Sequence, residues 1–159
     1  MDKILKIIEN NAKLTPAEIA VMAGISEAEA VQKLAEYEKD GVIRGYKTII
    51  DNALAGDDKV IAQIEIKVTP KTDFGFDDIA KRIAQFDEVE AIYLMSGGYD
   101  LLLTVSGRNF KEIATFVQTR LAPLDSVVST TTHFVLSAYK QSGVLMYDRE
   151  KDERGQNGL

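Results

Sequence analysis

The sequence predicts an α+β protein of two domains, because the spacing of its apolar residues changes once along the chain. In the first fifty residues they recur every three or four positions, as on amphipathic helices. From Val60 they alternate with polar residues, as in half-buried strands. The 159 residues suffice for one medium or two small domains. The predicted divisions are a first domain at 1–50, a linker at 51–59, a second domain at 60–141, and an extension with a charged tail at 142–159.

Three helices are predicted in the first domain from their start and stop signals. The segment from Asp2 to Glu9 places its apolar residues on one face. Thr15-Pro16-Ala17-Glu18 is a capping box with proline at the first helical position, and Gly24 ends that helix. Ser26-Glu27-Ala28-Glu29 is a second capping box, which opens a helix that runs to Gly41. Two capped helices joined by a tight glycine turn are typical of a helix-turn-helix.

A short extended arm follows the third helix. Its sequence, Val42 to Lys47, favours a hairpin behind the two capped helices. With that hairpin the first domain is predicted to be a winged helix-turn-helix, a unit that places its last helix in the major groove of DNA.

The second domain is predicted to contain four strands and two helices. Its segments in order are a strand at 60–68 ended by Pro70, a helix at 76–86, strands at 89–96 and 100–106, a helix capped by Asn109 and stopped near Pro123, and a strand at 126–138. The order βαββαβ predicts a ferredoxin-like fold. Its sheet is expected to be antiparallel, with both helices on one face.

Apolar residues on both faces of this sheet predict a second subunit. Val89, Ala91, Tyr93 and Met95 are expected on one face of their strand, and Leu102 on the face opposite its two neighbours. The domain's own helices can cover only one face, so the other is expected to pack against another copy. The alternative is that these are scattered surface residues, which need no partner.

Composition excludes several classes of site. The chain has no cysteine and a single histidine, His133. Disulfides, thiolate metal sites, cysteine nucleophiles and multi-histidine metal centres are therefore excluded. No phosphate-binding loop or nucleophile elbow occurs, so no catalytic residue, metal or cofactor is predicted. No apolar run is long enough to span a bilayer, and we expect a cytoplasmic protein that is not an enzyme and does not bind membranes.

The ordered set of motifs resembles the Lrp/AsnC (feast/famine) family of transcription regulators, from about residue 2 to residue 141. The segments that carry the resemblance are Asp2-Lys3-Ile4-Leu5, Gly24-Ile25-Ser26, Glu38 to Tyr46, Gly97-Gly98-Tyr99-Asp100, and Thr130 to Leu136 with Lys140. The resemblance implies an amino-acid-responsive regulator that binds double-stranded DNA. It also implies a homodimer that assembles further, often to an octamer, with a small amino-acid effector bound between C-terminal domains.

The DNA-binding candidates lie on the third helix and the arm. They are Ser26, Glu27, Gln32, Lys33, Arg44, Tyr46 and Lys47. Gln32 can pair with adenine, and Lys33 can reach guanine or a phosphate. The helix from Ser26 to Asp40 nevertheless has two basic and five acidic residues. Because phosphate contacts need positive charge, the alternative is a sensing or interaction module of the same fold with weak or lost DNA binding.

The effector-binding candidates lie near the turn between the second and third strands and on the last strand. They are Met95, Gly97, Gly98, Tyr99, Asp100, Thr130 and Thr132. Glycine lets backbone N–H groups approach a carboxylate, and the Asp100 carboxylate can accept from an ammonium group. The alternatives are an ordinary hairpin turn for the glycines and plain strand propensity for the threonines. His133 is expected at the surface or in an interface.

Overall fold

The computed structural model describes residues 1–69 and 75–147. They form two compact units, Met1–Thr48 and a second that begins at Ile49. Each unit has its own cluster of buried apolar side chains. The domain limits given above remain predictions, and Pro70 and the predicted charged tail from residue 148 lie outside the described residues.

The first unit contains three helices, α1 Lys3–Asn10, α2 Pro16–Ala23 and α3 Glu27–Lys39. Their starts follow the capping signals in the sequence. Thr15 and Glu18 form the complete capping box of α2, with each side chain bonded to the other residue's backbone N–H. At α3 the first half of the box forms, because Ser26 Oγ accepts from the Glu29 N–H at 3.2 Å. The Glu29 carboxylate lies 4.0 Å from Lys33 Nζ.

Helix α3 is held against the other two helices by a small apolar core. Ala30 is completely buried, together with three residues of α1 and α2: Ile4, Ile19 and Ala20. Gly24 joins α2 to α3 with φ +77°, a left-handed conformation that glycine adopts without a steric penalty. The turn and the core together fix which face of α3 points outward.

The arm differs from the predicted hairpin. Residues 44–50 have no regular structure, and no described residue of the first unit belongs to a strand. The arm begins after Gly41, and its Ile43 N–H donates to the Tyr37 carbonyl at 3.0 Å. An extended segment becomes a strand only when a second one lies beside it, and the described part of this unit supplies none.

The capping box makes a measurable contribution to the first unit. Replacing Thr15 with Ala removes the oxygen that accepts from the Glu18 N–H, and should lower the free energy of unfolding by about 1 kcal/mol. Urea denaturation followed by circular dichroism measures it. The exposed Thr48 provides the control, because Thr48→Ala should leave the urea midpoint unchanged. Equal midpoints for the two variants would contradict the assignment.

The second unit is built on a four-stranded antiparallel sheet. Its strands are β1 Val60–Val68, β2 Val89–Leu94, β3 Leu101–Gly107 and β4 Val127–Phe134, in the spatial order β2-β3-β1-β4. Helix α5 Asp77–Ile83 follows β1, and α6 Phe110–Phe116, extended by a π-helical turn at Val117–Leu121, follows β3. This is the predicted βαββαβ order. A short helix, α4 Asn52–Ala55, lies within the segment predicted as a linker.

Both long helices pack on one face of the sheet, which is the core face. Ile64, Ile66, Leu101 and Leu103 point into this core. The opposite, helix-free face carries the alternate residues, including Leu102, Tyr93 and Ala91 as predicted. Val89 was expected with them, but a bulge between Val89 and Ala91 pairs Val89 with Val105 on the core side.

The chain beyond β4 also differs from the prediction. β4 ends at Phe134, four residues before the predicted end, and residues 135–138 have no regular structure. A small hairpin, made by β5 Lys140–Gln141 and β6 Val144–Leu145, spans the predicted limit at residue 141, and its turn has Ser142 at φ 45°. Its exposed apolar residues gave no alternation long enough to predict a strand.

Candidate DNA-binding and effector sites

The exposed face of α3 carries a stripe of mostly neutral residues. Ala30 and Leu34 turn toward the core, so residues about half a turn away point to solvent. Four of them, Ala28, Gln32, Ala35 and Lys39, are spaced by three and four positions along one face, and all four are exposed. Val31 is exposed beside them. We call these five residues the outer stripe. Among the acidic residues of α3, Glu36 lies beside Gln32 on the same outward side, while Glu29 and Glu38 lie on the flanks.

Gln32 and Lys33 are adjacent in sequence but have different surroundings. Gln32 Nε2 donates to Glu36 Oε1 at 2.9 Å, which fixes the side-chain amide on the outer stripe. Lys33 is directed back toward α1, where its Nζ lies 3.8 Å from Asp2 Oδ2 and 4.0 Å from Glu29 Oε1. Of the two candidates, the structure therefore places Gln32 on the outward face and Lys33 on the flank.

The candidates of the arm lie at the C-terminal end of α3. The Arg44 guanidinium lies against Gly41, where an added Cβ would come within 3.2 Å of Arg44 Cζ. Tyr46 Oη donates to Glu38 Oε1 at 2.9 Å. Partial burial, and then this bond to a carboxylate, raise the pKa of Tyr46. Arg44, Tyr46 and Lys47 are all exposed, so the arm supplies two cations beside an acidic helix.

The first residues of α3 serve the helix itself. The Ser26 hydroxyl caps the helix through the Glu29 N–H. Glu27 is exposed in the first turn, where a negative charge is favourable near the helix N-terminus. Ala28, Val31, Ala35 and Glu36 were not among the predicted DNA-binding residues. Their three- and four-residue spacing on the side away from Ala30 is the signal by which they could have been found.

Among the effector candidates, Asp100 is hydrogen-bonded to the backbone of β1. Its Oδ2 accepts from the Val68 N–H at 2.9 Å, and its own N–H donates to the Ile66 carbonyl at 3.0 Å. Gly97 has φ +148° and Gly98 is exposed, so the turn presents its backbone to solvent. Met95 N–H donates to the Asp100 carbonyl, which closes the turn. Tyr99 is half-buried.

The two threonines lie apart from this turn. Thr130 pairs with Ile66 and Thr132 with Ile64, so both side chains are on the core face of β4. The turn joins β2 to β3, and its Asp100 end is hydrogen-bonded to the Ile66 carbonyl of β1, the residue that pairs with Thr130. One strand, β1, therefore separates Asp100 from β4, a spacing of about 10 Å between the two residues.

Carboxylates at helix starts give the first unit an acid-sensitive stability. The Thr15 N–H and hydroxyl lower the pKa of Glu18, and the Ile4 N–H lowers that of Asp2. A lowered folded-state pKa stabilises the fold above the unfolded-state value, and this stabilisation is lost as pH falls through the folded-state pKa.

We therefore expect unfolding to become easier as the pH falls below about 4.5, the ordinary value for a glutamate. Glu18→Gln keeps an acceptor for Thr15 but does not titrate, so on acidification its urea midpoint should fall less than that of the wild type. Glu9→Gln, an exposed position at the end of α1, is the control and should follow the wild type. Identical pH profiles for Glu18→Gln and wild type would contradict the prediction.

His133 lies at the surface of the helix-free face of the sheet. Its Nε2 is 3.3 Å from Glu65 Oε1 on the neighbouring strand. Within 1–69 and 75–147, no group of three or more Asp, Glu or His side chains is placed to hold a metal ion. None of the helices in these ranges has the length and apolar character needed to cross a bilayer.

Comparison with known protein families assigns both parts of the chain. A family model of the Lrp/AsnC ligand-binding domain matches residues 61–145. A family model of a winged helix-turn-helix DNA-binding domain matches residues 3–44. The chain belongs to the Lrp/AsnC family. The predicted α+β class, with its winged helix-turn-helix and second βαββαβ domain, is confirmed.

Relatives of this Lrp/AsnC chain are transcriptional regulators. It is 44% identical over 153 residues to the uncharacterised HTH-type transcriptional regulator YugG of Bacillus subtilis (strain 168), covering 96% of this chain and 92% of that protein. It is 29% identical over 130 residues to the regulatory protein AsnC of Haemophilus influenzae, covering 82% of this chain and 85% of that protein. The fold is shared with a Neisseria meningitidis transcriptional regulator solved with L-Met, at a TM-score of 0.70 and 23% identity. The match covers 87% of this chain and 89% of that one.

The protein is thus a transcriptional regulator of the Lrp/AsnC type. All DNA-binding candidates up to Arg44 lie within the helix-turn-helix match, and Tyr46 and Lys47 follow it directly. All effector candidates lie within the match to the Lrp/AsnC ligand-binding domain.

Proposed function

We propose that this chain binds double-stranded DNA through α3 and the arm, and that a small amino acid bound by its second unit modulates DNA binding or assembly. The observation that carries the proposal is the presence, in one chain, of a helix-turn-helix with an exposed α3 face and a domain of the Lrp/AsnC ligand-binding type. The proposed activity is binding and involves no catalysis, cofactor or membrane.

A homodimer formed through the helix-free face of the sheet, and able to assemble to an octamer, is part of the proposal. Tyr93 is exposed there, beside Leu102 on the neighbouring strand. Together they make an apolar patch toward the β2 edge of this face, which suits an interface between copies. A monomer mass that does not change with concentration in analytical ultracentrifugation would contradict this part.

The effector site is proposed at the interface between second units. The turn at Gly97-Gly98 offers backbone N–H groups for a carboxylate, while Thr130 and Thr132 lie across the sheet from it. Asp100 is hydrogen-bonded to Ile66 and Thr130 pairs with Ile66, so β1 alone separates the two sets within one chain, and a second copy would cover the open turn. The L-Met bound by the meningococcal regulator of the same fold supports an amino acid as the class of ligand.

A second candidate function is a sensing module of the same fold that binds DNA weakly or not at all. The observation in its favour is the acidity of α3, which carries Glu36 on its outward side and Glu29 and Glu38 on its flanks. Carboxylates near DNA phosphates repel them, and each missing phosphate contact lowers both affinity and its salt dependence.

DNA binding across a salt series separates these two functions. Fluorescence anisotropy would compare the gene's own upstream region with a scrambled duplex. The regulator function predicts preference for the upstream region, with a log–log salt slope of several units. No binding even at ~50 mM salt would leave the sensing function.

The contribution of the arm is tested by substituting Arg44, with Arg82 of the second unit as the control. Arg44→Ala should reduce the salt slope by about one unit and weaken binding to both duplexes equally, because a phosphate contact carries no sequence information. Arg82→Ala, on an exposed position of α5 in the second unit, should change neither. Equal slopes for Arg44→Ala and wild type would remove Arg44 from the interface.

Calorimetric titration with single amino acids tests the effector site. Asp100→Asn keeps an oxygen for the Val68 N–H but removes the charge that would meet an α-ammonium group. The wild type should bind one amino acid, and Asp100→Asn should bind it at least tenfold more weakly. Unchanged affinity would remove Asp100 from the site.

A further inference from the structure

We infer that the outer stripe of α3 recognises A·T base pairs, with alanine and valine methyl groups contacting thymine and Gln32 contacting adenine. Glu36 acts as the residue that positions Gln32. The inference rests on the proposed DNA binding and specifies the base sequence that this face can read.

The apolar members of the stripe select a methyl group. Val31 is 49% exposed, and Ala28 and Ala35 are exposed with it. None of these side chains can donate or accept a hydrogen bond. In the major groove, the thymine C5 methyl is the one apolar group that a base pair presents. A surface of this kind therefore gains contact at thymine and leaves polar base edges unsatisfied elsewhere.

The contact with Glu36 fixes the orientation of the Gln32 amide. A carboxylate only accepts hydrogen bonds, so the amide nitrogen, and not its oxygen, must face Glu36 Oε1 at 2.9 Å. One N–H of the amide is used, and the other N–H and the carbonyl oxygen remain for a ligand. These two groups match the N7 acceptor and N6 amino donor of adenine.

The same orientation disfavours guanine. Guanine presents two acceptors, N7 and O6, in the major groove. An amide whose second N–H meets N7 would direct its oxygen at the guanine O6, where two acceptors repel. Glu36 is four residues, one helical turn, from Gln32 on the same helix, so the amide is set before DNA arrives and needs less ordering on binding.

Base analogues test each contact separately. A duplex would first be enriched from a random pool by the wild-type chain. Thymines in its protected region are then replaced by deoxyuridine, which lacks the methyl group, and adenines by 7-deazaadenine, which lacks N7. Each replacement at a contacted pair should weaken wild-type binding about tenfold.

The variants connect each analogue to its residue. Binding by Gln32→Ala should no longer be weakened by 7-deazaadenine but should still be weakened by deoxyuridine. Binding by Val31→Ser should still be weakened by 7-deazaadenine but no longer by deoxyuridine. Glu36→Ala should reduce discrimination between adenine and guanine at the Gln32 position. Glu36→Gln should reduce it as well, because an amide can donate as well as accept and no longer sets the orientation of Gln32. Gln85→Ala, at an exposed position outside the helix-turn-helix, is the control and should match the wild type.

The outcomes distinguish this inference from the proposed function. Specific binding that is equally tight on parent and analogue duplexes overturns the A·T inference alone. Weakening by N4-methylcytosine in place of cytosine, with no effect of the other analogues, would also overturn it, since carboxylates of α3 would then be reading cytosine. If no duplex is enriched from the pool, the inference and the proposed DNA binding both fail.

Discussion

Replacing Ala30 with Asp should unfold the helix-turn-helix unit and abolish DNA binding. Ala30 is 0% exposed and lies among the buried residues Ile4, Ile19 and Ala20. A carboxylate there would have no cation within the core, and an unpaired buried charge costs about 3–5 kcal/mol. A unit of this size has a net stability of only a few kcal/mol, because it buries a smaller fraction of its surface than a larger domain does.

Ala35→Asp, on the same helix, is the matched control. Ala35 is exposed on the outer stripe, so its carboxylate stays in water and the unit should remain folded. DNA binding should still weaken, because the charge would face the groove. Circular dichroism and limited proteolysis would measure folding of the first unit, and anisotropy would measure binding.

The second unit should stay folded in both variants, since its buried residues belong to a separate core. Its resistance to proteolysis and its binding of an effector should not change. If Ala30→Asp melted at the same temperature as Ala35→Asp, the assignment of Ala30 to the core of the first unit would be wrong.

Replacing Leu103 with Ala should destabilise the second unit by about 2–5 kcal/mol. Leu103 is 0% exposed in the centre of the sheet, paired with Ile64 of β1 on one side and Ile92 of β2 on the other. Truncation removes buried methyl groups and leaves a cavity that the neighbouring strands, held by their hydrogen bonds, cannot close.

Leu102→Ala tests the other face of the same strand. Leu102 lies on the helix-free face, beside Tyr93. Its truncation should reduce monomer stability much less than Leu103→Ala, and should weaken self-association if this face is the dimer interface. Urea denaturation measures the first effect, and sedimentation across a concentration range measures the second. Equal destabilisation by both variants would contradict the assignment of one core face.

Local signals were enough to predict most helix starts. Thr15 and Glu18 bond within three residues of each other, and Gly24 adopts the left-handed conformation that ends α2. These features depend on neighbours in sequence, so the sequence contains the information they need. The βαββαβ order was predicted for a similar reason, because the alternation from Val60 to Val68 and the apolar spacing after Phe76 each persist over several residues.

The misplaced features depend on distant parts of the chain. The arm after Gly41 was expected to form a hairpin, but no strand of the described first unit lies beside it. Val89 was expected on the face of Tyr93, but a bulge against β3 turned it to the core. A bulge is defined by how two strands pair, and a single strand's alternation does not reveal it.

The same distinction between local and distant contacts holds for the candidate sites. The sequence by itself determined the helix caps, the turn glycines, the two apolar periods and the acidity of α3. Only the tertiary structure decided that Gln32 faces outward beside Glu36 while Lys33 turns toward Asp2, and that Thr130 lies on the core face across the sheet from Gly97. The physical reason is that a side chain's direction and partners are set by the packing of its helix or strand against others, which contacts distant in sequence determine.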